Sequence, residues 1–308
     1  MNILVVGAGA TGGYFGGRLA QAGRDVTFLA RPGRVAQLRR DGLRIASPHG
    51  DLTLAPTLLV VGDDMPPFDI VILAVKAYAL EQALADLRPA VGPATMILPF
   101  LNGMRHIDLL VEHFGDAAVL GGVCVVATAL DAQGRIQQLG DAQEIAYGER
   151  SGALSPRIQA LDAVLQGAGF GARVSSLILR EMWEKWVMLA TAGTATCLLR
   201  GTVGEIEAVP DGAPLTLDIL REIASVATAA GYPPRDAMLA RATAMLTAPG
   251  SVFAPSMYRD LAIGAPVEVE QILGNLLLRA RDYAVPAPCL RAATAQLLIH
   301  QKRVQAAV

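Results

Sequence analysis

Asn2-Ile3-Leu4-Val5-Val6-Gly7-Ala8-Gly9-Ala10-Thr11-Gly12 decides the fold. A short apolar, strand-forming run leads into the spacing G-x-G-x-x-G, and the residues after it carry helical amphipathicity up to Gln21. The spacing alone means little. Its context gives it weight, because it follows a strand, opens a helix and leads into a second β-run at Asp25 to Leu29. Gly7 permits a tight turn, Gly9 lets the backbone approach a pyrophosphate, and Gly12 lets helix and strand pack closely. The segment Gly7, Ala8, Gly9, Ala10, Thr11, Gly12 thus offers free amides at a helix N-terminus to phosphate oxygens. A glycine-rich turn without a ligand is the plainer alternative, and the agreement of spacing with context argues against it.

Which dinucleotide is bound depends on the end of the second strand, where an NAD enzyme carries an acidic residue for the ribose 2′-hydroxyl. The chain reads Leu29-Ala30-Arg31-Pro32-Gly33-Arg34 there. No carboxylate repels a 2′-phosphate, and Arg31 and Arg34 carry planar donors able to reach one. NADPH is the expected cofactor, unless both arginines are solvated loop residues.

Beyond this unit, 308 residues suffice for two domains at roughly 100 to 200 residues each. A net charge of −2 and the lack of a basic run leave no electrostatic footprint for nucleic acid or an anionic membrane. The apolar stretch Val187 to Leu199 is too short for a membrane span. Cys124, Cys197 and Cys289 share no metal-ligand spacing with His49, His106, His113 and His300, so no metal and a reducing, cytoplasmic environment are expected. The sequence leaves the oligomeric state open, a homodimer included.

Strands are expected at Asn2 to Val6, Asp25 to Leu29, Leu52 to Ala55, Ile70 to Val75, Met96 to Leu101 and Ala118 to Gly121, alternating with helices as parallel strands do. An antiparallel pair, Val123 to Leu130 and Ile136 to Tyr147, turns at Gly134. Ser155 caps a helix ending near Gln166, and one short strand falls within Gly167 to Ser175. Helical periodicity then dominates at 177–199, 214–230, 234–246, 267–284 and 287–305. The expected class is α/β: a Rossmann-type, doubly wound parallel sheet over residues 1–172 that binds NADP, and an all-helical substrate and catalytic domain over 173–308. A cleft between two such halves is where a substrate is expected.

Only three of the 26 basic residues are lysine: Lys76, Lys185 and Lys302. Where arginine supplies positive charge in general, a retained lysine suits what arginine cannot do, which is to titrate and give a proton. Lys185, in Glu181-Met182-Trp183-Glu184-Lys185-Trp186, could protonate the alkoxide left by hydride addition to a carbonyl, with Glu181 one turn earlier to pair with it. Helix spacing alone equally describes an ordinary surface Glu–Lys pair. Lys76 follows the fourth strand at the carboxyl edge of the sheet, in reach of cofactor or substrate. Asn102, one of three asparagines, follows the fifth strand. It is either a hydrogen-bonding partner of nicotinamide ribose or carbonyl, or part of an ordinary Asn-Gly turn.

Taken together, the opening motif, Val75-Lys76-Ala77, Asn102-Gly103-Met104, Met182-Trp183-Glu184-Lys185-Trp186, Pro255-Ser256-Met257-Tyr258-Arg259-Asp260 and Glu268-Val269-Glu270 resemble the ketopantoate reductase (2-dehydropantoate 2-reductase) family along almost the whole chain. The resemblance implies NADPH-dependent reduction of a 2-oxo acid, ketopantoate to pantoate in pantothenate biosynthesis, with Lys185 as general acid. It places Asn102, Ser256 and Glu268 around substrate or nicotinamide, and Lys76 and Arg31 on the cofactor. Read alone, Ser256 is a helix cap or loop hydroxyl and Glu268 a carboxylate at a helix start. The chain departs from the family at Leu189 and Gly193, where the helix usually carries asparagines, and at Phe253, where a polar residue is usual. An unpaired substrate hydroxyl would cost about 1 to 3 kcal/mol there. These departures imply, as alternatives, a more hydrophobic 2-oxo acid or ketone as substrate, or a non-catalytic NADP-binding sensor.

Overall fold

The computed structural model describes residues 1–306. Contacts divide the chain into two compact units, the first Met1–Leu101 with His106–Ile178, the second Asn102–Arg105 with Leu179 onward.

The first unit is built on two sheets. Strands β1 (Asn2–Val6), β2 (Asp25–Ala30), β3 (Leu43–Ala46), β4 (Leu52–Leu54), β5 (Thr57–Val60), β6 (Ile70–Leu73), β7 (Met96–Pro99), β8 (Leu120–Leu130), β9 (Ile136–Glu149) and β10 (Gly171–Val174) alternate with helices. The helices are α1 (Ala10–Gln21), α2 (Pro32–Asp41), α3 (Leu80–Leu87), α4 (Arg105–Phe114) and α5 (Pro156–Leu165). Five parallel strands in the order β5-β2-β1-β6-β7 form the first sheet. The order reverses between β1 and β6, and a doubly wound sheet opens a crevice at the carboxyl ends of the strands on either side of such a point. β1, β6 and β7 are buried along nearly their whole length, as strands covered on both faces must be.

The second sheet runs β10-β9-β3-β4 with β8 beside β9. Helix α1 is pressed between the sheets, which explains the glycines inside it. A side chain at Gly16 would meet Phe28 Cε1 at 2.6 Å, and one at Gly13 or Gly17 would meet Ile136 Cδ1 at 2.5 Å or Leu43 Cδ2 at 2.8 Å. Phe15, fully buried, fills the adjoining core against Phe100 and Phe170.

Three sequence expectations need correction. Leu52 to Ala55 is not a strand of the parallel sheet: β4 pairs antiparallel with β3, and the place beside β2 belongs to β5, beyond Pro56. Ala118 to Gly121 is not a separate strand: β8 runs unbroken from Leu120 to Leu130, and position 122 needs glycine because a Cβ there would collide with the Pro99 carbonyl. The helical run expected at 267–284 begins at Val269 and runs unbroken to Asp282, but it is not regular: it widens into a π-turn, Glu270–Gly274, before a shorter α-helix.

The second unit is helical: α6 (Ile178–Leu199), α7 (Val203–Glu207), α8 (Gly212–Ala229), α9 (Asp236–Leu246), α10 (Ser256–Ala262), α11 (Asn275–Asp282) and α12 (Pro288–Ala306). No helix of the described residues is long and apolar enough to cross a membrane.

Candidate active site

In the first unit the glycine-rich loop has the conformation its spacing implies. Gly7 sits at φ +98°, and a Cβ there would lie 3.0 Å from the Ala74 carbonyl oxygen, so the turns after β1 and β6 abut at the point where strand order reverses. Gly9 is the N-cap of α1, and a Cβ there would meet nothing within 4 Å. The first-turn amides of α1 have no intrahelical acceptor. Open space over Gly9, free amides and the positive end of the helix dipole suit a dinucleotide pyrophosphate. Gly12 is the opposite case, since a side chain there would strike the Gly7 carbonyl and Ala74 Cβ.

Arg31 caps α2 without a side-chain bond and is exposed. Arg34, one turn on, is committed to the protein: Nε donates to the Ala8 carbonyl at 2.9 Å, and Nη1 to Gln37 Oε1 at 2.7 Å and the Gly134 carbonyl at 2.9 Å. The two arginines, paired by sequence reasoning, therefore have different duties. Lys76 is exposed where β6 gives way to a 3-10 turn, Ala77–Ala79.

In the second unit, Lys185 lies on α6 between buried neighbours, Glu184 and Trp186, and is itself partly exposed. Its ammonium has no hydrogen bond or ion pair among the described residues. Glu181, the partner expected from helix spacing, instead places its field on Arg235. Glu184 accepts from Arg235 N at 2.9 Å, from Nε at 2.8 Å and from Nη2, and this hydrogen-bonded pairing raises the Arg235 pKa. The carboxylate side chain is only 7% exposed. Its removal leaves three donors without their acceptor, so Glu184→Ala is expected to destabilise the protein by about 2–3 kcal/mol, the range for hydrogen bonds to a charged group. Urea unfolding measures this; an unchanged midpoint would mean that Arg235 rehydrates without cost.

Trp186 fixes the same turn of α6. Its indole Nε1 donates to the Ile272 carbonyl at 2.8 Å, inside the π-turn, and Arg279 stacks over Trp183 and Trp186 at 5.6 and 5.8 Å. The next residue back in the π-turn, Gln271, is buried and donates from Nε2 to the Asn102 carbonyl at 2.8 Å. Gly103, at φ +77°, packs against the Gln271 carbonyl so closely that a Cβ would lie 2.6 Å from it. Glu268 precedes the turn, its carbonyl accepting from the Ile272 amide at 3.1 Å. One π-turn thus holds the Asn102 loop, the Lys185 segment and the residue after Glu268 in register. Periodicity could not disclose Gln271, because its role depends on a turn with one residue more than a regular helix. Ser256 is the first residue of α10, and the N-cap position before it belongs to Pro255. The cap reading of Ser256 is therefore not realised.

Lys185, Leu189 and Gly193 fall four apart and form one stripe on α6. Gly193 is buried, and a side chain there would collide with Met257 Cε, the residue after Ser256. Where the resemblance leads one to expect amides, the stripe is aliphatic. No group of three or more metal-ligating side chains occurs among the described residues.

A parallel sheet with a glycine-rich loop at its strand reversal is the arrangement in which doubly wound folds take a dinucleotide, and relatives specify the class. The model described as "Ketopantoate reductase PanE/ApbA" matches residues 3–152 and its C-terminal counterpart matches 177–301. The chain belongs to the ketopantoate reductase family and is an oxidoreductase acting on a CH–OH/C=O couple. It is 35% identical over 301 residues to the uncharacterized oxidoreductase YkpB of Bacillus subtilis (strain 168), covering 98% of this chain and 99% of YkpB. The crystal structure of 2-dehydropantoate 2-reductase from Methylococcus capsulatus superposes with TM-score 0.85 at 28% identity, covering 99% and 98% of the two chains. D-mandelate dehydrogenase, solved with NADH and anilino(oxo)acetate, shares the fold at TM-score 0.88 and 22% identity, covering 99% and 100%.

Proposed function

We propose that the protein reduces a 2-oxo acid to the 2-hydroxy acid with NADPH. The supporting observation is the Lys185 ammonium, one of three lysines in the chain, held on a rigidly packed helical turn with no carboxylate bonded to it among the described residues. Reduced nicotinamide supplies the hydride when bound. Lys185 gives its proton to the carbonyl oxygen, so that the product leaves as a hydroxy acid, and the neutral amine regains a proton from solvent. Asn102 positions the nicotinamide ribose or the reacting carbonyl, while Ser256 and Glu268 hold the substrate. The loop Gly7, Ala8, Gly9, Ala10, Thr11, Gly12 binds the pyrophosphate through its amides from Gly9 onward, the Gly7 amide being held by the Leu29 carbonyl at 3.1 Å, with Lys76 beside them. In this reading the first unit carries the cofactor and the second the acid.

Arg31 decides between NADPH and NADH. Its guanidinium is exposed and uncommitted, and a charge-assisted contact to a 2′-phosphate contributes roughly 1.5–3 kcal/mol. Arg31→Ala is expected to raise the NADPH KM about 10- to 100-fold and leave that for NADH unchanged. Equal loss for both cofactors would remove Arg31 from the 2′-phosphate.

Met257 over Gly193, with Leu189 on the same stripe, favours a 2-oxo acid with an apolar side chain over ketopantoate, whose hydroxyl would find no amide there. NADPH oxidation with ketopantoate and with branched and aromatic 2-oxo acids tests both levels. A higher kcat/KM for ketopantoate would refute the apolar preference. Tight NADPH binding without turnover on any of them would leave a non-catalytic sensor as the better description.

A further inference from the structure

We infer that Arg34 is a positioning residue for the dinucleotide loop, acting through the Ala8 carbonyl on the Gly9 amide rather than on the 2′-phosphate. This rests on the proposed function to the extent that a nicotinamide dinucleotide binds at Gly7–Gly12.

The Ala8–Gly9 peptide is trans, as are all described peptide bonds, so its carbonyl and its amide point in opposite directions across one rigid plane. Arg34 Nε holds the carbonyl at 2.9 Å. That bond aims the Gly9 N–H away from α2, and no acceptor for it occurs among the described residues. The space at Gly9 is open, whereas both flanking glycines of the motif are crowded. A guanidinium bonded to a carbonyl also polarises the attached peptide and strengthens its N–H as a donor.

The other bonds of Arg34 explain its rigidity. Nη1 bridges Gln37 and the Gly134 carbonyl, and Gln37 Nε2 donates to the Gln133 carbonyl at 2.7 Å. The β8–β9 turn is thereby fastened to the first turn of α2, and the side chain cannot swing outward without breaking three hydrogen bonds. Every acceptor is a carbonyl oxygen, and no carboxylate pairs with this cation among the described residues. Half-burial holds its pKa below the usual arginine value, so the placement costs solvation that no acidic side chain offsets. A positive charge kept one peptide away from a phosphate-binding amide fits an anionic ligand, and its geometry directs it to the loop.

Isothermal titration of NADPH and of NADH separates the two arginines. In Arg34→Met both dissociation constants are expected to rise by the same factor, about tenfold, the worth of roughly one charge-assisted hydrogen bond. In Arg31→Met only that for NADPH rises. Arg34→Lys keeps the charge and one donor; it is expected to show the same equal shift at a smaller factor, and it stands in should Arg34→Met fail to fold. A loss confined to NADPH in Arg34→Met would make Arg34 a direct 2′-phosphate ligand and overturn the inference, as would unchanged binding of both nucleotides. Failure of the unaltered protein to bind either nucleotide overturns the proposed function and this inference together, whereas unchanged binding in Arg34→Met overturns this inference alone.

Discussion

Lys185→Ala is expected to lower turnover on the best 2-oxo acid by about 10³-fold, within the range that a positioned general acid contributes, while NADPH affinity stays as it was. The separation follows from where the proposed acid and the proposed phosphate loop lie in the chain: Lys185 is on α6 of the second unit, and Gly7–Gly12 belong to the first. Lys185→Arg is expected to be nearly as inactive, because a guanidinium carries the same charge but does not release its proton in the working pH range. Neither substitution removes a hydrogen bond found among the described residues, so thermal stability should change little. Single-turnover measurements with NADPH in excess would show whether the lost step is chemistry. Full turnover in the alanine variant would require another proton donor.

Gly12→Ala is expected to weaken NADPH binding by about 100-fold and to lower the melting temperature by about 5 °C, since overpacking a tight contact costs roughly 1–3 kcal/mol. A methyl group at this position would strike the Gly7 carbonyl, lie 2.9 Å from Ala74 Cβ and 3.3 Å from Val5 Cγ1. The first obstacle is backbone, so relief requires the β1–α1 turn itself to move, and that turn carries the amides proposed to meet the phosphate. Gly9→Ala is the informative comparison. Its methyl group would enter open space in the free protein, so stability should hold while nucleotide binding falls. Normal NADPH affinity in both variants would mean that the dinucleotide binds elsewhere.

The β1-α1-β2 unit was legible because several independent signals coincide there: apolar strands, glycine spacing and helical periodicity. The edges of the sheets were not. Leu52-Thr53-Leu54 and Thr57-Leu58-Leu59-Val60 look alike as short apolar runs, and which one joins β2 is decided by pairing across the fold. Helices α7 and α10 escaped notice because neither is longer than two turns. At the site, Lys185 stood out through the rarity of lysine, but its carboxylate neighbours were misjudged. Helical spacing proposed Glu181 as its partner, whereas the side chains that settle this turn of α6 come from distant positions, Arg235 and Arg279, and from the Ile272 carbonyl. The same limit applied to Arg34, whose backbone acceptors, the Ala8 and Gly134 carbonyls, lie 26 and 100 residues away in the chain.

The π-turn at Glu270–Gly274 also bears on how the gene can change in length. A widened turn accommodates one residue beyond the regular ladder, and excising that residue would restore ordinary α-helix. The segment before it would then be rotated by about 100° relative to the segment after it, a single helical step. Glu268 would turn to another side, and Gln271 could no longer meet Asn102. A one-codon deletion, harmless in many surface loops, would dismantle the site here without altering any residue placed in it.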